Sequence, residues 1–595
     1  MPLREKSGGP EEEGELKEIV FQQDVPARMR DGTTLYANVY RPAGGGPYPV
    51  LLTRLPYGKD LPRDATYFDP VKAALHGYIV VVQDVRGRFR SEGEFSPYSQ
   101  EFEDGYDTVE WAARLPGSDG RVGMWGLSYY GKTQWHAAVM RPPALRSLAP
   151  GITWGNHLNG AQLRGGVQEL GIVYYWAESA IAPDLLFRRY GRDREKLSKK
   201  LPELLDVIDT ILAGSGYDVL PTLELPDPDG LAGFVLGGLR RGVDDGIYEH
   251  LNIDGKYGRV GAPSFHIGGW YDCFIGETLR QYEAMKRRAE EAGMTPPRLL
   301  VGPWTHADFG STQGELDFGM ASSGAFVNAR GDLTERQLRW FDATLKGDRA
   351  ALEADPPVEV FVMGENRWRS YEEWPVPGGR SEEWYLHPGG RLSRQAPPRS
   401  EPDAYDYDPQ DPAPTRGGAT LLAPIHPSGP ADQRPVEERP DVLVYTSDPL
   451  PEDRTLLGPV WATLHAASSA PDTDFVVRLT DVHPDGRSVL ITDGIIRASA
   501  RESYPAPGVI SPRRPTPIEP GRAYEYCVDL WATGITLRAG HRLRVAVTSS
   551  SHPRWERNLN TGESAAVSSQ SQVARQRVFH DPQRPSRVTL TVLGR

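Results

Sequence analysis

The first 150 residues alternate between short apolar runs and segments whose apolar positions recur at helical spacing. Uninterrupted apolar runs at 49–52, 78–82 and 122–126 are typical of buried parallel strands. Residues 104–115 and 129–140 instead have the pattern of helices. Strand–helix alternation of this kind predicts a doubly wound parallel sheet.

The alternation stops near residue 150 and resumes about 110 residues later. Residues 150–251 contain helix-like stretches without a strand pattern, so we interpret them as a helical insertion into the sheet domain. After the insertion the pattern gives a strand at 264–267, a helix at 275–292 and a strand at 299–301. The chain therefore returns to the same sheet, and an amphipathic helix follows at 335–346.

From residue 353 onward the pattern is that of an all-β domain. Residues 358–362 and 542–547 alternate between apolar and polar side chains, and turn residues separate many short strands. This arrangement predicts a sandwich or jelly roll. Eleven prolines among residues 397–440 indicate an extended loop within it.

Composition excludes several classes of protein. The 595 residues, 39% of them hydrophobic, suffice for several packed cores, which excludes a disordered protein. A net charge of −13 disfavours nucleic acid and anionic membranes as partners. The chain shows no secretory leader and no run approaching ~18 apolar residues, so we expect no membrane span. Two cysteines fit a reducing compartment, and we expect a cytoplasmic protein.

The strongest chemical motif is Gly126-Leu127-Ser128-Tyr129-Tyr130-Gly131. It follows a predicted buried strand and opens a predicted helix, which is the context of a nucleophile elbow. The motif departs from the G-x-S-x-G pattern, because Tyr130 stands where the second glycine belongs and Gly131 follows one position later. The strand–turn–helix context favours a nucleophilic serine over a glycine-lined turn that merely buries Ser128.

A serine nucleophile needs a base and an orienting carboxylate, which in this kind of sheet follow in the order Ser, Asp, His at the ends of later strands. Asp272 and His306 stand at those positions, 34 residues apart. The competing histidines are His136, in mid-helix, and His266, inside a strand. Asp84 also ends a strand, but it precedes the serine, and the arginines nearby at 86, 88 and 90 suggest a structural ion pair.

The oxyanion of an acyl-transfer reaction needs two donors. The backbone N–H of Tyr129, the residue after the nucleophile, is the expected first donor. The second usually comes from the loop after the third strand, which here is residues 54–59 and has no glycine-rich run. Tyr57 could offer its phenol there, although the sequence by itself favours a tyrosine that only packs in the loop.

Taken together, the motifs resemble those of the cocaine esterase / X-Pro dipeptidyl-peptidase family of serine hydrolases. The matching segments run in a consistent order from about residue 20 to 590 and lie at 55–57, 83–87, 91–95, 126–131, 268–272, 302–306, 549–553 and 557–562. The later glycine of the elbow is the family's own pattern, so the departure at Tyr130 supports the resemblance.

The resemblance implies an α/β-hydrolase domain with an inserted helical cap and a C-terminal jelly roll. The predicted division is a disordered tail at 1–17, α/β-hydrolase segments at 18–149 and 252–352, a helical cap at 150–251 and a jelly-roll domain at 353–595. It also implies catalytic roles and an acyl pocket. The catalytic residues are Ser128, Asp272, His306, Tyr57 and Tyr129, and the substrate-binding residues are Trp176, Phe274 and Leu422.

The resemblance leaves the substrate open. Phe274 and Ile275 stand where the α-amino-acid ester hydrolases carry part of a carboxylate cluster for the substrate ammonium, so that branch is disfavoured. A dipeptidyl-peptidase also needs an acid for the free amine, for which Glu169, Glu178 and Asp184 are the candidates. We therefore expect a small-molecule ester or amide with an uncharged acyl group.

Two kinds of alternative remain at this point. Within the enzyme class, they are an X-Pro dipeptidyl-peptidase and a β-lactam or glutaryl acylase-type amidase. Outside it, the jelly roll would be a carbohydrate-binding module on a decayed hydrolase, which the complete set of Ser128, Asp272 and His306 opposes. We expect no cofactor, no metal ion, no nucleic-acid partner and no membrane partner, and a homodimer is left open.

Overall fold

A ten-stranded mixed sheet forms the centre of the first domain in the computed structural model. The structure describes residues 18–61, 66–306 and 308–594, so the tail predicted for residues 1–17 lies outside the described residues. The strands of this sheet, in chain order, are β1 (Ile19–Arg28), β2 (Thr34–Pro42), β3 (Tyr48–Leu55), β4 (Ile79–Asp84), β5 (Ser118–Leu127), β6 (Leu145–Gly151), β7 (Phe265–Tyr271), β8 (Arg298–Thr305), β9 (Val358–Val362) and β10 (Arg367–Tyr371).

The spatial order of the strands is β1-β2-β4-β3-β5-β6-β7-β8-β9-β10. Strands β3 to β9 run parallel to one another, and antiparallel pairings occur at both edges of the sheet. Because the parallel strands are covered on both faces, their residues are almost all buried, as the uninterrupted apolar runs predicted. The parallel direction also brings the carboxyl ends of β3, β5, β7 and β8 to one edge of the sheet.

Helices cover both faces of the sheet and build the insertion. They are α1 (Pro70–Leu75), α2 (Glu101–Ala112), α3 (Ser128–Met140), α4 (Leu170–Tyr175), α5 (Ala182–Tyr190), α6 (Arg194–Leu212), α7 (Gly233–Leu239), α8 (Ile247–Leu251), α9 (Ile275–Ala292) and α10 (Leu333–Phe341). A further short helix, α11 (Arg434–Glu437), lies in the all-β domain that follows. Two π-helical turns extend α4 and α10, at Trp176–Ile181 and Asp342–Lys346. The insertion lies between β6 and β7 and holds α4 to α8, and we call it the cap.

Two parts of this sheet differ from the sequence interpretation. Strand β6 lies in the middle of the sheet but was not anticipated, since its sequence LRSLAPG has no continuous apolar run. Strand β9 pairs in parallel with β8 through Leu299 and Val358, and β10 completes the hairpin. The hydrolase sheet therefore extends to Tyr371, beyond the division placed between residues 352 and 353.

A separate all-β domain follows, which we call the jelly-roll domain. Its strands are β11 (Gly379–His387), β12 (Arg391–Ser393), β13 (Asp403–Tyr407), β14 (Leu443–Thr446), β15 (Arg454–Ser468), β16 (Asp474–Val482), β17 (Ser488–Arg497), β18 (Tyr524–Leu537), β19 (Arg542–Thr548), β20 (Ala574–Asp581), β21 (Arg584–Pro585) and β22 (Arg587–Leu593). A mixed sheet with flanking helices, followed by an all-strand domain, confirms the predicted fold class.

The jelly-roll domain packs against both the hydrolase sheet and the cap. One hydrophobic cluster runs without interruption from Trp270 and Val360 of the sheet to Trp531 and Leu543 of the jelly roll. Within the described part of the chain, no helix combines the length and apolar character needed to cross a membrane.

Candidate active site

The turn between β5 and α3 holds Ser128 in a conformation that a side chain adopts only under constraint. Ser128 has φ 53°, in the left-handed region, and its own backbone begins helix α3. Gly126, with φ 138°, lies so close to the Tyr130 ring that a Cβ would come within 2.3 Å of it. A Cβ on Gly131 would lie 2.6 Å from Thr153. Each glycine of the motif is therefore required by close packing, and Tyr130 fills the space that Gly126 leaves.

Three side chains from three strand ends form a continuous chain of hydrogen bonds. The Ser128 Oγ lies 3.0 Å from His306 Nε2, and His306 Nδ1 lies 2.7 Å from Asp272 Oδ1. The Asp272 side chain is fully buried and that of His306 is 4% exposed. A buried carboxylate that accepts from Nδ1 fixes the imidazole with Nε2 directed at the serine. The arrangement can withdraw a proton from Ser128 and return it to a leaving group.

Cys273 is next to this chain but does not compete with Ser128. Its Sγ lies 3.7 Å from Asp272 Oδ1. Burial, reinforced by the negative charge of Asp272, raises the pKa of the Cys273 thiol well above its usual value. Because only the thiolate is a strong nucleophile, Cys273 stays inert.

Tyr57 and Tyr129 both line the cavity onto which Ser128 opens. The backbone N–H of Tyr129 belongs to the first turn of α3, where N–H groups have no partner within the helix. The Tyr57 side chain is 9% exposed, and its Oη accepts a hydrogen bond of 2.9 Å from Trp176 Nε1 of the cap. The Tyr129 N–H and the Tyr57 hydroxyl can thus both serve as oxyanion donors, one from the residue after Ser128 and one from a loop earlier in the chain.

The loop that carries Tyr57 is fixed at both ends. Arg88 Nε donates to the carbonyl of Pro56 at 2.8 Å, and Asp84 Oδ1 accepts from the backbone N–H of Lys59 at 2.7 Å. Asp84 therefore forms its structural ion pair with Lys59, whose Nζ lies 4.0 Å from its carboxylate. Arg86, one of the arginines expected to pair with Asp84, pairs with Asp104 instead. These bonds hold Tyr57 in place before any substrate arrives.

Arg88 also binds the cap. Its Nη1 donates to the carbonyl of Ile181 at 2.9 Å and lies 3.5 Å from the Asp184 carboxylate. The guanidinium is completely buried, and burial lowers its pKa to about 10, which leaves it charged at neutral pH. One buried cation thus joins the Tyr57 loop to the cap.

The cavity has a volume of about 170 Å³ and is lined mainly by aromatic and aliphatic side chains. Among the described residues that line it, none is an aspartate or a glutamate. His157 is a polar member, but its two nitrogens face Trp154 Nε1 at 3.3 Å and Asn252 Oδ1 at 3.1 Å. Gln162 donates to Gln168. Arg241, a basic lining residue, lies 3.8 Å from Asp245. The cavity therefore offers a mainly apolar surface, and no acidic side chain among the described residues lines it.

Two of the three anticipated pocket residues line this cavity. Trp176 forms one wall, and the Phe274 ring meets the His306 imidazole edge to face, with centroids 5.2 Å apart. Leu422 is not among the residues that line it. Leu421 faces the cavity instead, and Leu422 packs against Gly171 of the cap.

The sequence interpretation did not anticipate Trp154 and His157, which also line the cavity. Both lie in the segment that follows β6, the strand whose sequence gave no apolar run. The competing histidines lie elsewhere: His136 Nε2 faces the carbonyl of Leu251, and His266 Nε2 faces the hydroxyl of Ser264.

The three acidic residues considered for binding a substrate amine do not line the cavity. Glu169 Oε1 accepts from Trp555 of the jelly roll, and Asp184 accepts from the backbone of Phe89. Glu178 is fully buried away from the cavity, and burial, assisted by Asp227, raises its pKa to about 8. Glu178 is therefore largely neutral at pH 7. None of the three presents a carboxylate to the cavity.

Among the described residues, two groups of three side chains are of the kinds that bind metal ions and have their ligand atoms within 4.8 Å of one another. One is Asp272, Cys273 and His306, whose contacts are those of the hydrogen-bond chain above. The other is Asp481, His483 and His541 in the jelly-roll domain, which the spacing in the sequence did not reveal.

Comparisons with known proteins agree with this geometry. Residues 31–308 match the profile of the X-Pro dipeptidyl-peptidase S15 family, and residues 350–589 match that of the X-Pro dipeptidyl-peptidase C-terminal non-catalytic domain. Cocaine esterase from Rhodococcus sp. (strain MB1 Bresler) is 35% identical over 96% of this chain and 98% of its own.

Solved structures with a similar fold cover nearly the whole chain. An aminopeptidase from a marine sediment Thaumarchaeota archaeon superposes with a TM-score of 0.74 at 22% identity, covering 99% of both chains. An α-amino acid ester hydrolase gives a TM-score of 0.73 at 24% identity, covering 98% of both. At these identities the two structures support the fold and not a shared substrate.

Proposed function

This chain belongs to the family of serine hydrolases that contains the X-Pro dipeptidyl-peptidases and cocaine esterase, and from that premise we propose that Ser128, His306 and Asp272 are its catalytic triad. The protein is a serine hydrolase that cleaves carboxylic esters. The observation that carries the triad is the unbroken chain of hydrogen bonds from Asp272 through His306 to Ser128, at the rim of an apolar cavity.

The proposed reaction has two acyl-transfer steps. Ser128 Oγ attacks the ester carbonyl while its proton passes to His306 Nε2, and Asp272 stabilises the imidazolium that forms. The carbonyl oxygen becomes negative and accepts from the Tyr129 N–H and the Tyr57 hydroxyl. His306 then gives the proton to the departing alkoxide, leaving an acyl group on Ser128. Water repeats the sequence and releases the carboxylic acid.

Trp176 contributes to the oxyanion site through Tyr57. Its indole N–H can only donate, so the bond to Tyr57 Oη occupies an acceptor position of the phenol. Donation into the phenol oxygen makes the hydroxyl a better donor. We propose that Trp176 is a positioning residue for Tyr57 as well as a wall of the acyl pocket.

We further propose that the preferred acyl group is uncharged and apolar. An ammonium buried in this cavity would find no carboxylate among the described lining residues. An unpaired buried charge costs roughly 3–5 kcal/mol, which corresponds to about 10²–10⁴-fold in kcat/KM. The amine-binding alternatives, X-Pro dipeptidyl-peptidase among them, are disfavoured on this ground.

A matched pair of substrates tests the preference. The p-nitrophenyl esters of 3-phenylpropanoic acid and of phenylalanine differ only in the α-amino group. At a pH where the amine is protonated, we expect kcat/KM to be about 10²–10⁴-fold higher for the uncharged ester. Alanyl-proline p-nitroanilide serves as the dipeptidyl-peptidase control and should be cleaved more slowly still. Faster release of p-nitroaniline from the dipeptide than of p-nitrophenol from either ester would establish the peptidase instead.

We propose that the protein acts in the cytoplasm on a small-molecule substrate. We also propose that it has neither a nucleic-acid partner nor a membrane partner. Cys273 and Cys527 are both free thiols, and the net charge of −13 opposes binding to anionic polymers. Fractionation of the source cells should recover ester-hydrolase activity with the cytoplasmic fraction, and recovery with membranes or the cell exterior would contradict this assignment.

A further inference from the structure

The register of two jelly-roll strands brings Asp481, His483 and His541 together. Strand β16 pairs antiparallel with β19, with Asp481 opposite Leu543 and Val482 opposite Arg542. One further step along the same ladder sets His483 opposite His541. Asp481 is two positions before His483 and so lies on the same face of the sheet. The ladder therefore dictates that two imidazoles and a carboxylate share one small patch.

The side chains are already close to the separation of metal ligands. His541 Nδ1 lies 2.9 and 3.1 Å from the two Asp481 oxygens, and His483 Nε2 lies 3.5 Å from Oδ2. One nitrogen from each histidine and one carboxylate oxygen all lie within 4.8 Å of one another. Ligand atoms around tetrahedral Zn²⁺ are about 3.4 Å apart, because each lies about 2.0–2.1 Å from the metal. Only a small movement of the rings is needed.

Burial leaves one side of the group open. The side chains of His541 and His483 are 14% and 21% exposed, and that of Asp481 is 10% exposed. The nearby cation Arg487 is paired with Asp485 at 2.8 Å, so its charge is balanced. Three ligands on a wall with an open side match a zinc site that keeps water in its fourth position. Two imidazoles with one carboxylate suit a borderline divalent ion better than Mg²⁺ or Ca²⁺.

We propose that Asp481, His483 and His541 bind one Zn²⁺ ion per chain. The site lies outside the catalytic cavity, none of whose lining residues it contains. A bound ion would tie the turn between β16 and β17 to the start of β19. Its expected effect is therefore on the stability of the jelly-roll domain and not on ester hydrolysis.

Zinc binding to the full chain tests the proposal. After treatment with EDTA and removal of the chelator, equilibrium dialysis against ZnCl₂ should give one equivalent per chain, with a higher Tm than the metal-free protein. His483→Gln and His541→Gln should each weaken the affinity at least ~10-fold. His76→Gln is the matched control, because His76 also contacts a carboxylate, Asp342 at 2.7 Å, but joins neither three-residue group.

A second arm separates this site from the triad, whose ligand types could also take Zn²⁺. In His306→Gln, one equivalent should still bind, and Co²⁺ should show the visible absorption of a four- or five-coordinate ion with imidazole ligands. This measurement does not depend on the folding of the jelly-roll variants. Loss of binding in His306→Gln, unchanged affinity in both jelly-roll variants, or no saturable binding would each overturn the proposal.

Discussion

Ser128→Ala should reduce kcat for p-nitrophenyl esters by about 10⁶-fold. The substitution removes the one oxygen that His306 Nε2 contacts at 3.0 Å, and with it the covalent intermediate. Alanine at this position must adopt the same positive φ of 53° as Ser128, so the substitution leaves the backbone strain of the turn unchanged. We therefore expect an unchanged Tm. Steady-state kinetics and thermal unfolding on the same preparation measure the two effects.

Covalent labelling provides the control for this assignment. A fluorophosphonate probe should modify the wild type once per chain and leave Ser128→Ala unmodified. Ser99, a second serine that lines the cavity, supplies the matched variant, and Ser99→Ala should label and turn over like the wild type. Persistent labelling of Ser128→Ala would mean that another side chain is the nucleophile.

Tyr57→Phe should lower kcat by ~10²–10³-fold, or ~2.7–4 kcal/mol, with KM and Tm nearly unchanged. The phenol acts mainly once charge has developed on the carbonyl oxygen, so its loss is felt in the transition state more than in substrate binding. The ring itself stays, packed edge to face on Tyr130 with centroids 6.2 Å apart. Single-turnover kinetics with p-nitrophenyl esters isolate the acylation step.

Two comparisons make the test of Tyr57 specific. Tyr248→Phe removes the hydroxyl of another tyrosine that lines the cavity. This hydroxyl has no hydrogen-bond partner among the described residues, so its loss should lower kcat less than ~5-fold. Trp176→Phe should reduce kcat by about the same modest factor in the wild type. In a Tyr57→Phe background the Trp176→Phe substitution should change kcat little, because the Trp176 N–H then has no phenol oxygen to which it could donate. Equal effects of Trp176→Phe in both backgrounds would refute the positioning role, and a near wild-type Tyr57→Phe would remove Tyr57 from the oxyanion site.

The sequence predicts well that Ser128, Asp272 and His306 come together, because their positions depend on local order. A nucleophile elbow is a strand, a tight turn and a helix within about 20 residues, and Asp272 and His306 each follow a recognisable apolar strand. The parallel direction of those strands then brings their ends together without further information. The fold class follows from the same alternation.

Other features depend on which elements meet, and periodicity does not contain that information. The alternation in Val358–Val362 indicates a strand but fits either sheet, and only its pairing with Leu299–Val301 assigns it to the hydrolase domain. Likewise, which of Leu421 and Leu422 lines the cavity depends on how an irregular segment approaches the cap. The wall formed by Trp154 was missed because it follows a strand of mixed composition.

The bonds of Arg88 have a consequence for how this enzyme changes over evolutionary time. One guanidinium binds both Pro56, next to Tyr57, and Ile181 in the cap, two residues that are far apart in the sequence. An outward movement of the cap would separate the Arg88 guanidinium from the Ile181 carbonyl and the Asp184 carboxylate, at a cost of several kcal/mol. These contacts oppose an outward movement of the cap. We therefore expect substitutions that change substrate preference to fall on the wall of the cavity, and a replacement of the cap to require a compensating change in the Tyr57 loop.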